Sequence, residues 1–90
     1  MPRFLVESPH SDKECLMALE NFLATGYLTH FDWGCDVGDH RGWMIIEAES
    51  EEEALMVVPS VLRRNARAIQ LIKFTPEDLE KERTIHNKKG

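Results

Sequence analysis

The chain has 90 residues, 42% of them hydrophobic and 30% charged, with a net charge of -5, which is the balance of one small globular domain. The excess of acidic residues repels nucleic-acid phosphates, and no apolar run approaches the roughly 20 residues of a membrane-spanning helix, so nucleic-acid binding and membrane insertion are not expected. The N-terminus lacks the pattern of a signal peptide, and two cysteines, Cys15 and Cys35, are too few for a disulfide scaffold. We therefore expect a reduced, cytoplasmic protein.

Capping signals mark the predicted helices. Ser11 with Glu14, and Ser50 with Glu53, each form the Ser-x-x-Glu pattern of a capping box, in which the serine oxygen accepts a backbone N–H and the glutamate accepts one in return. Thr75, followed by proline and two acidic residues, marks a third helix start. The predicted helices span residues 12–24 and 51–58, with one further turn at 60–64 and a C-terminal helix from residue 75.

Four segments rich in β-branched and aromatic residues predict strands around these helices. The loop over residues 36–42 contains two glycines and two aspartates, which predicts a hairpin between the second and third strands. The resulting βαββαβ order is a split-βαβ plan. We predict an α+β fold, a ferredoxin-like sandwich with an antiparallel four-stranded sheet, two helices on one face and a short C-terminal helix. The strands are predicted at 3–7, 28–35, 43–49 and 66–74, in a single domain over 1–90 whose core spans about 3–74 and whose C-terminal helix and tail span 75–90.

The stretch from Trp33 to Ala54, WGCDVGDHRGWMIIEAESEEEA, together with the element order and the size, resembles small bacterial ferredoxin-like proteins of the dimeric α+β barrel superfamily. YCII-like and muconolactone isomerase-like proteins belong to that superfamily, as do cofactor-free monooxygenases and many members without known activity. The resemblance covers roughly residues 3–74 and implies the fold and a homodimer. No catalytic motif of those enzymes aligns with this chain, so no residue role is carried over.

The split-βαβ plan orders the strands 4-1-3-2, and we expect antiparallel pairing except between strands 1 and 3, which are expected to run parallel. A hairpin register that pairs Gly34 with Trp43 places Asp32 opposite Ile45 and His30 opposite Glu47. The alternation of side chains then directs Phe31, Trp33, Met44, Ile46 and Ala48 toward the helices. The other face, here named the open face, carries Leu5, Glu7, His30, Asp32, Trp43, Ile45 and Glu47.

Leu5, Trp43 and Ile45 make the open face too apolar for exposure to water. A chain of this length buries only roughly 60–65% of its unfolded surface, and burial of apolar area is worth about 25 cal/mol per Å². We therefore expect a homodimer in which two open faces pack together, with these three residues near its centre and as the binding residues of any pocket.

Four ionisable residues share the open face with this apolar group and are the candidate catalytic residues: His30, Glu47, Glu7 and Asp32. A carboxylate beside an apolar surface has a raised pKa, and a neighbouring histidine transfers protons. In this interpretation His30 is the acid/base group and Glu47 orients its ring. The simpler interpretation is an ordinary cross-strand pair of His30 with Glu47.

Three functions are consistent with these alternatives. The first is a homodimer that binds a small organic molecule in a pocket on the open face. The second is a cofactor-free isomerase or monooxygenase-like enzyme acting on a small organic substrate, and the third is a purely structural or interaction dimer. An enclosed pocket beside the ionisable residues would favour the enzyme. Sequence motifs for nucleotide binding, zinc proteolysis and serine hydrolysis are absent, and no cofactor is expected.

Cys35 and His40 have side chains that bind zinc, and four residues separate them. Two ligands are half of a structural zinc site. In the expected topology His10 follows strand 1 at one end of the sheet, whereas Cys35 and His40 flank the hairpin at the other end. Only His86, in the tail that starts at the hairpin end, is positioned to join them. No metal site is therefore predicted.

Basic residues cluster at Arg63, Arg64 and Arg67. Arginine clusters bind phosphate and carboxylate groups, but the acidic residues at 51–53 and the negative net charge favour a solvated loop with surface ion pairs. The basic tail over 88–90 is expected to be a frayed terminus.

Overall fold

The computed structural model describes residues 1–87, which form an α+β fold with a four-stranded antiparallel sheet. The basic tail Lys88, Lys89 and Gly90 lies outside the described residues. Short 3₁₀ turns occupy Asp12–Glu14, Leu28–His30, Cys35–Val37 and Leu55–Val57. The strands are β1 (Arg3–Pro9), β2 (Asp32–Trp33), β3 (Arg41–Glu47) and β4 (Arg67–Leu71), and the helices are α1 (Cys15–Thr25), α2 (Glu51–Ala54), α3 (Ser60–Arg63) and α4 (Pro76–Asn87).

The predicted capping signals begin the helices that they mark. The backbone N–H of Glu14 donates to the Ser11 hydroxyl at 3.2 Å, and the Ser11 N–H donates to the Glu14 carboxylate at 3.0 Å. This capping box closes the 3₁₀ turn that leads into α1. Ser50 caps α2 by accepting the Glu53 N–H at 3.1 Å. At the other end of α1, Gly26 has φ +88°, a left-handed conformation that glycine adopts without strain.

The predicted second helix, 51–58, is α-helical only over α2 and continues as the 3₁₀ turn Leu55–Val57, and Pro59 separates it from α3, the further turn predicted at 60–64. Proline lacks a backbone N–H and disfavours the α conformation of the residue before it, and Val58 is extended (φ −92°, ψ 130°). The Arg63 side chain fills the break, because its Nη2 donates to the Val58 carbonyl at 2.9 Å and its Nε donates to the Leu55 carbonyl at 3.2 Å. Arg63 is thus engaged in holding α3 against the preceding turn.

The sheet order is β2-β3-β1-β4, which reads 4-1-3-2 from the β4 edge. β1 pairs antiparallel with both β3 and β4, so the expected parallel pairing of strands 1 and 3 is wrong. A helical crossover leads from β1 to β2, which leaves these two strands running in the same direction, and the hairpin then reverses β3. The C-terminal end of β1 consequently lies beside the start of β3, where Pro9 pairs with Arg41.

β2 contains only Asp32 and Trp33 instead of the predicted residues 28–35. Asp32 pairs with Trp43 and Trp33 with Gly42, whereas the predicted register placed Asp32 opposite Ile45. The true register is therefore shifted by two residues, and a shift of two leaves every strand residue on its predicted face. Trp33 sets this register, because its ring lies 2.5 Å from the position that a Cβ on Gly42 would occupy.

The core lies between the sheet and α1, α2 and α3. Phe4 and Val6 of β1 are buried, and the fully buried Phe22 of α1 packs edge-on against Phe31 and Trp33 at centroid distances of 4.7 and 4.8 Å. The core consists of Phe4, Val6, Ala18, Phe22, Phe31, Ala48, Ala54, Val57, Val58 and Leu62, with Trp33, Met44 and Ile46 among the residues packed against it. The helix-facing residues predicted from the alternation of side chains all lie in or against this core.

The C-terminal helix α4 starts with a reciprocal cap. The Asp78 N–H donates to the Thr75 hydroxyl at 3.1 Å, and the Thr75 N–H donates to the Asp78 carboxylate at 2.9 Å. Leu79 and Ile85 of this helix remain about half exposed, at 48% and 53%. Among residues 1–87, no helix combines the length and apolar character that a bilayer crossing requires.

Candidate functional site

The open face presents rows of side chains that run across the strands. The central row is apolar and joins Ile69, Leu5 and Ile45. Ile45 is 57% exposed and Ile69 39% exposed. A row that includes charged residues lies on each side of the apolar row. One consists of Arg67, Glu7, Trp43 and Asp32, and the other consists of Leu71, Arg3 and Glu47.

Glu7 is the centre of the polar network on the open face. Its Oε1 accepts hydrogen bonds from Arg41 Nη1 and Trp43 Nε1, both at 3.2 Å, and its Oε2 accepts one from Arg67 Nε at 3.0 Å. The Glu7 side chain is only 13% exposed. Asp39 orients Arg41 with two hydrogen bonds at 2.6 and 2.7 Å, and the guanidinium lies 5.2 Å from the centre of the Trp43 ring. The hydrogen bonds from Arg41, Trp43 and Arg67 thus engage both carboxylate oxygens of Glu7.

The network keeps Glu7 ionised. Burial by itself would raise the pKa of Glu7, but hydrogen bonds from Trp43 and Arg67 and the charges of Arg67 and Arg41 outweigh burial and hold its pKa below the usual value. A carboxyl group with a lowered pKa is a poor proton donor at neutral pH. The structure therefore gives Glu7 the properties of an ion-pair anchor.

The Glu7→Gln variant should lose stability at neutral pH and little at acid pH. A carboxylate with a lowered folded-state pKa stabilises the fold above its unfolded pKa, about 4.3, and this contribution is lost as pH falls through the folded pKa. Because the side chains of Arg41 and Arg67 are 42% and 65% exposed, the expected loss at pH 7 is about 1–2 kcal/mol. Urea denaturation at pH 7 and pH 3 measures it, with the exposed Glu20→Gln as control. An equal loss at both pH values would contradict this assignment.

His30 and Glu47 do not form the predicted acid/base pair. His30 is exposed and lies in the 3₁₀ turn Leu28–His30 before β2, with its ring 5.6 Å from that of Tyr27. Glu47 lies opposite Arg3 at the end of β3. The predicted pairing fails because β2 is too short to extend the hairpin ladder to His30. Asp32 lies on the open face opposite Trp43, as expected, and is exposed.

The described residues 1–87 of the single chain contain no pocket. The apolar residues expected to line one, Leu5, Trp43 and Ile45, lie on the open face, and no other part of residues 1–87 forms a wall opposite them. A small-molecule site on this face would need a second surface to enclose it.

A second group of side chains converges where β1 ends and β3 begins. The His10 N–H donates to the His40 carbonyl at 3.0 Å, while Cys15 begins α1 and Cys35 begins a 3₁₀ turn. One nitrogen or sulfur atom from each of His10, Cys15, Cys35 and His40 lies within 4.8 Å of the other three. These four residues are named here the sheet-end cluster. All four are partly buried.

The sequence does not predict the sheet-end cluster when β1 and β3 are expected to run parallel. An antiparallel β1/β3 pair brings the residues just beyond Pro9 and just before Arg41 together, so the expectation that His10 lies far from Cys35 and His40 is wrong. A further signal is present in the spacing, because four residues separate His10 from Cys15 and four separate Cys35 from His40.

His86, the one residue that the predicted topology allowed to join Cys35 and His40, lies in α4. Its Nε2 is 3.3 Å from the Glu82 carboxylate, one turn earlier in the same helix. His86 does not belong to the sheet-end cluster.

Burial and neighbouring groups shift the pKa values of two members of the sheet-end cluster, His10 and Cys35. Burial lowers the pKa of His10, and the neighbouring His40 lowers it further, against the opposing charge of Glu14. Burial raises the pKa of Cys35, as does its neighbour Cys15. A neutral imidazole has a free nitrogen lone pair, which is the form that binds a metal ion.

A scan against models of protein families, a search of curated proteins and a search of solved structures gave no match to this chain. The resemblance to the dimeric α+β barrel superfamily therefore stays a prediction, and the geometry of the chain is the basis on which a function can be proposed.

Proposed function

We propose that the protein is a homodimeric domain of ferredoxin-like topology whose open faces pack together. The strand order β2-β3-β1-β4 and the position of α1, α2 and α3 on one side of the sheet support this topology. Within residues 1–87, this packing leaves the open face of the sheet without a covering layer, and a sheet with an apolar face is stable when a second layer covers it.

The apolar row on the open face is the observation that carries the proposal. Ile45 and Ile69 expose 57% and 39% of their surface, and with Leu5 between them they form a continuous band across three strands. In a dimer with two-fold symmetry, the apolar row of one copy would pack on the apolar row of the other, since such an interface uses the same surface of both copies. The charged rows on either side then form the polar rim that interfaces typically have.

The side chains of the open face favour an assembly role over acid/base catalysis. Both oxygens of Glu7 are engaged by hydrogen bonds, and His30 is not paired with Glu47. The binding of a small organic molecule needs a cavity formed between the two copies. It is therefore proposed only as a property of the dimer.

Ile45→Asp should convert the dimer to a monomer, because a charge would enter an apolar interface without a partner. Sedimentation velocity at micromolar concentration should give twice the chain mass of 10.4 kDa for the natural protein and the chain mass for the variant. Val61→Asp is the matched control, since Val61 is similarly exposed at 62% but lies on α3. A monomeric natural protein would contradict the proposal, and so would an Ile45→Asp variant that remains dimeric.

A further inference from the structure

We propose that the sheet-end cluster is a tetrahedral Cys₂His₂ site for a zinc ion, with His10, Cys15, Cys35 and His40 as its four ligands. The site lies within one chain, at the end of the sheet, and does not depend on whether two copies pair through their open faces.

The distances fit a zinc ion with small adjustments. Zn–S bonds of about 2.3 Å and Zn–N bonds of about 2.0–2.1 Å in a tetrahedron separate the ligand atoms by about 3.3–3.8 Å. The Nε2 of His10 is already 3.4 Å from the Sγ of Cys35. Because every pair among the four ligand atoms lies within 4.8 Å, the contraction that zinc requires is at most about 1.5 Å for any pair, which side-chain rotation supplies.

The backbone holds the four ligands in place before any ion binds. His10 and His40 are joined by the backbone hydrogen bond between β1 and β3, and the capping box of Ser11 and Glu14 fixes the turn between His10 and Cys15. The 3₁₀ turn that starts at Cys35 ends at Gly38, whose φ of +90° reverses the chain toward His40. Two turns of equal spacing thus each present one histidine and one cysteine.

A buried histidine nitrogen without a partner is an independent sign that a ligand binds there. The Nδ1 of His40 is buried and lacks a hydrogen-bond partner among residues 1–87, a condition that is rare in native proteins, whereas His10 offers the Nε2 that lies beside the Cys35 sulfur. The Nε2 of His40 lies 3.4 Å from the Asp12 carboxylate, which leaves its Nδ1 as the nitrogen for the ion. A metal-binding histidine commonly donates its other ring N–H to a carboxylate, which fixes the orientation of the ring.

The donor atoms select the class of metal. Two thiolates and two imidazoles are the ligand set of structural zinc sites, whereas calcium and magnesium take oxygen ligands. Two thiolate charges also neutralise the ion. Because the protein supplies all four ligands, the site has no open position for substrate, and its role is to connect the end of β1, the start of α1 and the β2–β3 hairpin.

Zinc binding to the full, reduced chain tests the proposal. Metal-free protein is incubated with Zn²⁺ and a reducing agent, dialysed, and examined by elemental analysis and native mass spectrometry. One zinc ion per chain is expected. Cys15→Ser and Cys35→Ser should each reduce bound zinc to a small fraction, whereas His86→Ala, the matched histidine control outside the cluster, should retain one ion.

Circular dichroism of the metal-free variants separates loss of a ligand from loss of the fold. A folded Cys35→Ser variant without zinc supports the site. If the variants do not fold, zinc stoichiometry of the natural chain decides, together with competition against a chromophoric chelator. Absence of stoichiometric zinc in the natural chain, or full retention in both serine variants, would overturn the proposal, and a monomeric chain that binds zinc would overturn only the dimer.

Discussion

Zn²⁺ at a free concentration 1,000 times its dissociation constant should raise the free energy of unfolding of the reduced protein by about 4 kcal/mol. The reason is that the four ligands, His10, Cys15, Cys35 and His40, lie close together only in the native fold. Urea denaturation with and without zinc measures the gain. The increase should be absent in the Cys35→Ser variant, which lacks one of the two thiolates.

The His86→Ala variant should gain as much stability from zinc as the natural chain, since His86 lies in α4 outside the sheet-end cluster. An equal gain in the natural chain and in Cys35→Ser would show that zinc acts elsewhere. A natural chain whose unfolding is unchanged by zinc would contradict the expected coupling of binding to folding.

The Phe22→Ala variant should lose about 3–5 kcal/mol of stability. Phe22 is fully buried, with ring contacts to Phe31 and Trp33, so truncation leaves a cavity between α1 and β2. Chemical denaturation of the metal-free chain measures the loss. Leu23→Ala is the control, because Leu23 is the next residue of α1 and is 64% exposed, which predicts a change of about 0.5 kcal/mol or less. A similar loss in both variants would contradict a core centred on Phe22.

The proposed zinc site and the aromatic core are neighbours. The His10 ring lies 6.2 Å from the Trp33 ring, and Trp33 in turn contacts Phe22. Residues linked through a shared partner have non-additive effects on stability. We therefore expect the gain from zinc in Phe22→Ala to differ from the gain in the natural chain.

Local patterns in the sequence predict much of the fold. The Ser11 and Glu14 capping box forms as expected, because it depends on residues three positions apart. The alternation of side chains assigns Phe4 and Val6 to the core and Ile45 to the open face, because the period of a strand does not depend on its partner. These features need no knowledge of the tertiary structure.

Features that depend on distant parts of the chain are predicted poorly. The expected hairpin register is wrong by two residues because the contact between Trp33 and Gly42 decides it, and no local pattern announces that contact. The direction of β1 relative to β3 is decided by two connections, the helical crossover from β1 to β2 and the hairpin that then reverses the chain into β3. A parallel direction places His10 and His40 at opposite ends of the sheet, which leaves the sheet-end cluster unpredicted.

The cross-strand pairing expected between His30 and Glu47 shows the same limit. It required the second strand to extend back to His30, but residues 28–30 form a 3₁₀ turn instead. The Trp33 indole donates to the Leu28 carbonyl at 3.0 Å and stabilises that turn. The real partners of Glu7, which are Arg41 and Arg67, come from two other strands that only the sheet brings together.

The proposed Cys₂His₂ site is tested most directly by the absorption spectrum of the reduced chain loaded with Co²⁺. Cobalt occupies zinc sites, and its visible bands are intense in tetrahedral and weak in octahedral coordination. Thiolate ligands add sulfur-to-cobalt charge-transfer bands in the near ultraviolet. We expect both sets of bands at one Co²⁺ per chain, and their loss when equimolar Zn²⁺, which binds such sites more tightly, displaces the cobalt. A weak octahedral spectrum without charge-transfer bands would contradict the site.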